Sequence, residues 1–172
     1  GYPTAVEVFA RYMLENNISD INPKGVITSA EMLLPQQREI IEKAFAAKVF
    51  NRYGCREVGD IAQECKHGGF HLNMERVFLE IVPEDNCPDG LEPGEVLVTD
   101  LDNYGFPMIR YRIGDMARFA DPDRTCECGR GLAMLSEIQG RTMDVVKTAS
   151  GRKLPGTFWT ILTRSVSGIN QF

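Results

Sequence analysis

Apolar residues at Ala5, Val6, Phe9, Tyr12 and Met13 recur at helical spacing behind Pro3, a residue suited to the first turn of a helix. A helix from Pro3 to about Asn17 is predicted. Val26-Ile27-Thr28 is a short β-branched run closed by Ser29-Ala30-Glu31. A second helix starts near Pro35, with Ile40, Ile41, Ala44 and Phe45 on one face, and Lys48-Val49-Phe50 reads as the next strand. This β-α-β order predicts a parallel sheet crossed by a helix. After Glu57 the pattern turns to β, with strands predicted at Val77–Val82, Glu95–Leu101, Met108–Ile113 and Met116–Phe119 between Gly, Pro, Asp and Asn turns. From Gly140 a strand near Asp144–Thr148, a Ser150-Gly151 turn and a helix from about Pro155 to Val166 are expected. The fold class read from this is α/β, a parallel β-α-β layer followed by a small antiparallel β subdomain and the start of a third, α+β section.

The chain has 172 residues, 43% of them hydrophobic, enough to bury one real core. A net charge of −5 without clustered Lys or Arg argues against a nucleic-acid partner. No apolar stretch approaches the roughly 20 residues that span a bilayer, so no membrane partner is expected. Five cysteines without a secretory leader favour reduced thiols and a cytoplasmic location. The chain opens on Gly1 rather than Met and stops at Phe172 after an amphipathic segment, so a fragment is expected.

Two sets of residues carry candidate chemistry. In the first, Tyr53 followed by Gly54 at a strand end can lay a flat ring against a purine while the glycine lets the backbone turn closely under it. Glu57 offers a hard oxygen ligand for magnesium on phosphates, an ion held by one or two carboxylates. Asp115, after Gly114, can accept ribose hydroxyls, and Arg141 can reach sugar or phosphate with its fork of donors. Taken singly, Tyr53 reads as a core residue, Glu57 and Arg141 as surface charges and Asp115 as a turn residue.

The second set is Cys65 and His71, flanking the Gly68-Gly69 turn, with Cys126 and Cys128 in Cys126-Glu127-Cys128-Gly129. Three thiolates and an imidazole complete a closed tetrahedral zinc shell. His67 is the alternative ring, and His71 fits better because it opens the strand after the turn. The competing reading is four unrelated residues, with cysteines packed as small hydrophobes. Cys55 and Cys87 remain, and nothing pairs either with a base for nucleophilic catalysis.

The segments Arg52-Tyr53-Gly54-Cys55-Arg56-Glu57, Ile109-Arg110-Tyr111-Arg112-Ile113-Gly114-Asp115 and Gly140-Arg141-Thr142-Met143-Asp144, in this order, resemble the nucleotide-handling core of adenylate-forming enzymes. The closest resemblance is to the branch of phenylacetate-CoA ligases and CapK-type ligases, whose Cys-x-Cys-Gly-Arg segment is also similar to Cys126–Arg130. It implies that residues 1–139 form the C-terminal part of the large adenylation domain and that 140–172 hold the hinge and the beginning of a mobile C-terminal domain. It assigns Glu57 as the catalytic magnesium ligand, with Tyr53, Gly54, Arg56, Asp115, Arg141 and the Ala30-Glu31 turn on the nucleotide. Arg56 stands where the family usually has Thr, and Met143 where many members have an acid.

The function implied is ATP- and Mg2+-dependent activation of a carboxylic acid, by default an aryl acid such as phenylacetate, with transfer to coenzyme A. The alternatives are an adenylating enzyme with a different acceptor and a zinc-stabilised binding module without chemistry. The family's glycine-rich phosphate loop and late catalytic lysine are absent from these residues, so the chain alone is not expected to complete catalysis; a homo-oligomer remains open.

Overall fold

The computed structural model describes residues 1–83, 93–141, 146–148 and 153–154. Helix α1 (Pro3–Glu15), strand β1 (Val26–Ser29), helix α2 (Pro35–Phe45) and strand β2 (Val49–Cys55) come first. β1 and β2 are parallel, with Val26 opposite Val49 and Ser29 opposite Arg52, as the β-α-β pattern requires. The helical periodicity is realised as a shared core in which Ala10, Met13, Ile41, Phe45 and Val49 are buried together. Gln37 lies inside this core because its amide is satisfied: it accepts from Leu34 N–H at 3.0 Å and donates to Glu7 Oε2 at 2.8 Å, tying the start of α2 to α1.

The chain then continues antiparallel through β3 (Gly59–Glu64), β4 (Phe70–Leu72), β5 (Val77–Val82), β6 (Gly94–Asp100), β7 (Tyr111–Phe119) and β8 (Met134–Arg141). All eight strands form one sheet in the order β1-β2-β3-β4-β8-β7-β6-β5, so the parallel layer and the antiparallel part are hydrogen-bonded into a single surface. A second core, with Ile61, Leu72, Val77, Val96, Val98, Ala117 and Leu135, lines the antiparallel part. A separate two-stranded ladder joins β9 (Val146–Lys147) to β10 (Lys153–Leu154). Among the described residues no helix is long and apolar enough to cross a membrane.

Three strands, β3, β4 and β8, are shorter or more polar than the alternation rule detects, and of these only β4 is anticipated by the sequence, with His71 expected to open a strand that begins at Phe70. The two strands expected at 108–113 and 116–119 are one strand, β7. Gly114, at φ +81°, is a bulge within it rather than a turn: the β6 partners jump from Leu97↔Arg112 to Glu95↔Met116, leaving extra residues around Gly114 on β7. Of the expected hinge Gly140–Asp144, the residues Thr142, Met143 and Asp144 lie outside the described residues, as do the Ser150-Gly151 turn, the helix over 155–166, and Cys87.

Ile41 is 0% exposed, so Ile41→Ala is expected to lower unfolding free energy by about 2–5 kcal/mol in chemical denaturation. Val8→Ala, at a site 69% exposed, serves as the near-neutral control.

Candidate functional site

Tyr53 and Gly54 sit at the end of β2, where the ladder to β3 slips between them. A Cβ on Gly54 would collide with the Gly59 carbonyl, so glycine is imposed by the approach of the two backbones. Asp115 lies in the β7 bulge, directly opposite Arg141 at the end of β8. Each follows a glycine in the left-handed region, Gly114 at φ +81° and Gly140 at φ +77°. Neither glycine has a neighbour within 4 Å of an added Cβ, so conformation rather than crowding requires it.

The Tyr53 hydroxyl donates to Asp115 Oδ2 at 2.9 Å, across strands far apart in sequence. Its ring packs against the second core, as do Tyr111 and Ile113. Burial, reinforced by the Asp115 charge, raises the phenol far above its ordinary range, so it stays protonated and acts as a donor. Glu57 is exposed on the turn after β2, and its carboxyl is held below the usual range by a bond to its own backbone N–H and one from Cys55, with Arg141 and Tyr111 adding to the effect. An ionised, solvent-facing carboxylate thus stands beside Arg141, bordering an open cleft of about 420 Å³ lined also by Arg76, Asp100 and Asp102.

The fold therefore brings Tyr53, Glu57, Asp115 and Arg141 into one neighbourhood. Ala30 adopts φ +72° where β1 ends, and β1 ends opposite Arg52, one residue before Tyr53. The carboxylate of Glu31, by contrast, is engaged by the start of α1, accepting from Thr4 N–H at 3.1 Å and Thr4 Oγ1 at 2.7 Å. Arg56 is exposed on the β2–β3 turn. Cys55 and Tyr111, both of which help hold the Glu57 carboxyl below its usual range, carry no role in the sequence reading; their only signal is position, each lying inside a motif.

At the other end of β3 and β8, one ligand atom each from Cys65, His71, Cys126 and Cys128 lie within 4.8 Å of one another. Cys65 Sγ is 3.5 Å from Cys126 Sγ, and Cys128 Sγ is 3.2 Å from His71 Nε2. A tetrahedral shell with zinc–sulfur bonds of about 2.3 Å places its donors roughly 3.5–3.8 Å apart, so the set fits. His71 supplies the ring; His67 turns away, its Nδ1 3.1 Å from Glu127 Oε2. With Nε2 aimed at the cluster, Nδ1 of His71 is the ring nitrogen that is buried with no partner among the described residues. Two tight turns present the thiols, closed by Gly68 N–H to the Cys65 carbonyl at 2.9 Å and Gly129 N–H to the Cys126 carbonyl at 3.0 Å.

Comparison with known proteins bears on this geometry. Protein CapK of Staphylococcus aureus is 33% identical over 116 residues, covering 67% of this chain and 25% of that protein. Phenylacetate-coenzyme A ligase of Escherichia coli (strain K12) is 31% identical over 127 residues, 70% of this chain and 28% of that protein. The fold matches 2-hydroxyisobutyryl-CoA ligase, solved with 2-HIB-AMP and CoA in an open conformation, with a TM-score of 0.75 at 23% identity over 98% of this chain and 41% of that one. The chain belongs to the adenylate-forming superfamily. No protein-family model matches it. It spans about a quarter of the length of the curated superfamily relatives quoted above.

An added Cβ at Gly69 would lie 2.8 Å from Cys126 Sγ and 2.9 Å from His71 Nε2. Gly69→Ala is expected to weaken Co2+ uptake, followed by thiolate-to-metal absorption, by about 10–100-fold. Gly131→Ala, with nothing within 4 Å of the added atom, is the control that leaves uptake unchanged.

Proposed function

We propose that the complete enzyme carrying this sequence is an AMP-forming acid–CoA ligase. A substrate carboxylate oxygen attacks the α-phosphorus of ATP and pyrophosphate leaves; the sulfur of CoA then attacks the acyl carbon and AMP leaves. The observation that carries this reading is the convergence of Tyr53 and Glu57, Asp115 and Arg141 from three separate parts of the chain. In this reading Asp115 accepts the ribose hydroxyls, and Tyr53 and Gly54 form the wall beside the base. Arg141 reaches the sugar or phosphates, and exposed Arg56 supplies a cation where the family's Thr would donate a hydroxyl. Ala30 contributes backbone at the end of β1, whereas Glu31 acts by anchoring α1.

Glu57 would hold Mg2+, which when bound neutralises charge on the phosphates. Its lowered pKa suits that task, because the carboxylate remains ionised at pH values where an ordinary glutamate begins to protonate. Cys65, His71, Cys126 and Cys128 would hold Zn2+ in a closed structural shell, since four protein ligands leave no position for a reacting group. The acid is proposed to be an aryl acid, supported by the resemblance to phenylacetate-coenzyme A ligase. The segment from Gly140 onward would begin the mobile C-terminal domain that exchanges the adenylation and thioester-forming arrangements.

The test is acid-dependent exchange of labelled pyrophosphate into ATP over a panel of aryl and aliphatic acids, followed by CoA consumption. Exchange without CoA consumption would assign a different acceptor; no exchange with any acid would overturn the reading. Glu57→Ala and Asp115→Ala are each expected to lower exchange at least about tenfold, or about 1.4 kcal/mol of transition-state stabilisation. Wild-type rates in both would remove the residue assignment.

If the metal reading is right, protein purified without chelator contains about one zinc per chain by elemental analysis, and Cys126→Ser with Cys128→Ser loses it. Chelation should also lower the melting temperature, because binding energy of a structural metal is folding energy. Metal-free protein with an unchanged melting curve would refute it.

A further inference from the structure

We infer that Tyr53 acts on the nucleotide through its hydroxyl, as a positioning residue that aims Asp115 at the ribose. This rests on the proposed role of Asp115 and adds to it. The ring of Tyr53 packs along the second core, against residues of the antiparallel sheet, while its hydroxyl reaches Asp115 Oδ2 at 2.9 Å. A side chain held at both ends cannot swing over a base without breaking one of these contacts.

Asp115 needs such an anchor more than most carboxylates do. It occupies a β-bulge behind a left-handed glycine, where the ladder to β6 is interrupted between Leu97↔Arg112 and Glu95↔Met116. A bulge re-aims its side chain relative to β6, while the backbone stays in register with Arg141 on β8. The bond from Tyr53 supplies that direction from β2, the strand that also leads into Glu57, so ribose and magnesium ligands share one frame. A carboxylate offers about four lone-pair sites, and the bond from Tyr53 occupies one of them. The phenol remains protonated because burial and the neighbouring Asp115 both oppose its ionisation, so the donor is present throughout the working pH range.

Tyr53→Phe separates this role from base stacking, since it keeps the ring and removes only the donor. In the complete enzyme, pyrophosphate exchange is measured with ATP, 2′-deoxy-ATP and 3′-deoxy-ATP for wild type, Tyr53→Phe, Asp115→Ala and the double variant. Wild type is expected to prefer ATP, and Asp115→Ala to abolish that preference. Tyr53→Phe is expected to raise the KM for ATP about tenfold, the scale of a hydrogen bond to a charged group, with a much smaller change for the deoxynucleotides. In the double variant Tyr53→Phe should add nothing further to Asp115→Ala.

Full ribose preference retained in Tyr53→Phe, with preference lost in Asp115→Ala, would overturn the inference and leave the proposed function standing. Preference retained in Asp115→Ala would overturn the ribose assignment itself. Circular dichroism and melting of each variant guard against a folding defect. If Tyr53→Phe does not fold, replacement by 3-fluorotyrosine keeps ring and hydroxyl but makes a stronger donor. An unchanged ratio of ATP to deoxynucleotide use in that protein would also overturn the inference.

Discussion

Everything of interest in this molecule hangs on the pairing of β8. This eight-residue strand, Met134–Arg141, lies between β4 and β7 and is the only link by which β1–β4 and β5–β7 share a sheet among the described residues. One end pairs with β4 at Met134↔His71 and Leu135↔Phe70, beside the Cys and His cluster. The other end pairs with β7 at Asp115↔Arg141, within the candidate nucleotide site. A strand rises about 3.3 Å per residue, so β8 spans roughly 25 Å between the two centres. A slip of one residue would send every side chain to the opposite face and dismantle both centres together.

The two centres solve different physical problems with the same device, a glycine-assisted departure from regular backbone. In the Cys and His cluster, Gly68 and Gly129 adopt positive φ in the turns that carry the thiols, and Gly69 leaves room for Cys126 Sγ and His71 Nε2. In the candidate nucleotide site, Gly114 and Gly140 adopt the same conformation one residue before Asp115 and Arg141. The first arrangement draws four donors together, Cys65 and His71 buried and Cys126 and Cys128 half-buried; the second turns charged groups out of a ladder toward a site where a ligand can reach them.

Stability comes from elsewhere. Ion pairs such as Arg11–Glu7, Arg76–Asp102 and Arg110–Glu80 each have at least one side chain half exposed or more, and pairs of that kind contribute about 0–1 kcal/mol. The two buried apolar cores carry the larger share, one between the helices and β2 and one along the antiparallel strands. The candidate nucleotide residues lie at the margin of these cores. Glu57 and Arg141 are exposed, while Tyr53, half in the core, connects packing to chemistry.

Local periodicity by itself determined α1, α2, β1, β5 and β6, because each buries one face against a core and must therefore alternate or repeat. It also contained the residue types of both centres, including a donor set of three thiols and an imidazole. Tertiary structure decided the rest. β3, β4 and β8 draw their partners from distant sequence, and no local pattern announces a three-residue strand such as Phe70–Leu72. Gly114 looks like a turn because glycine favours turns; only pairing across β6 and β8 makes it a bulge that places Asp115 opposite Arg141. The choice of His71 over His67 and the bond from Tyr53 to Asp115 likewise depend on contacts between strands that sequence distance hides. Composition and spacing state which chemistry a chain can perform, but a hydrogen bond or a metal shell acts over a few ångströms, and only the folded register brings those atoms that close.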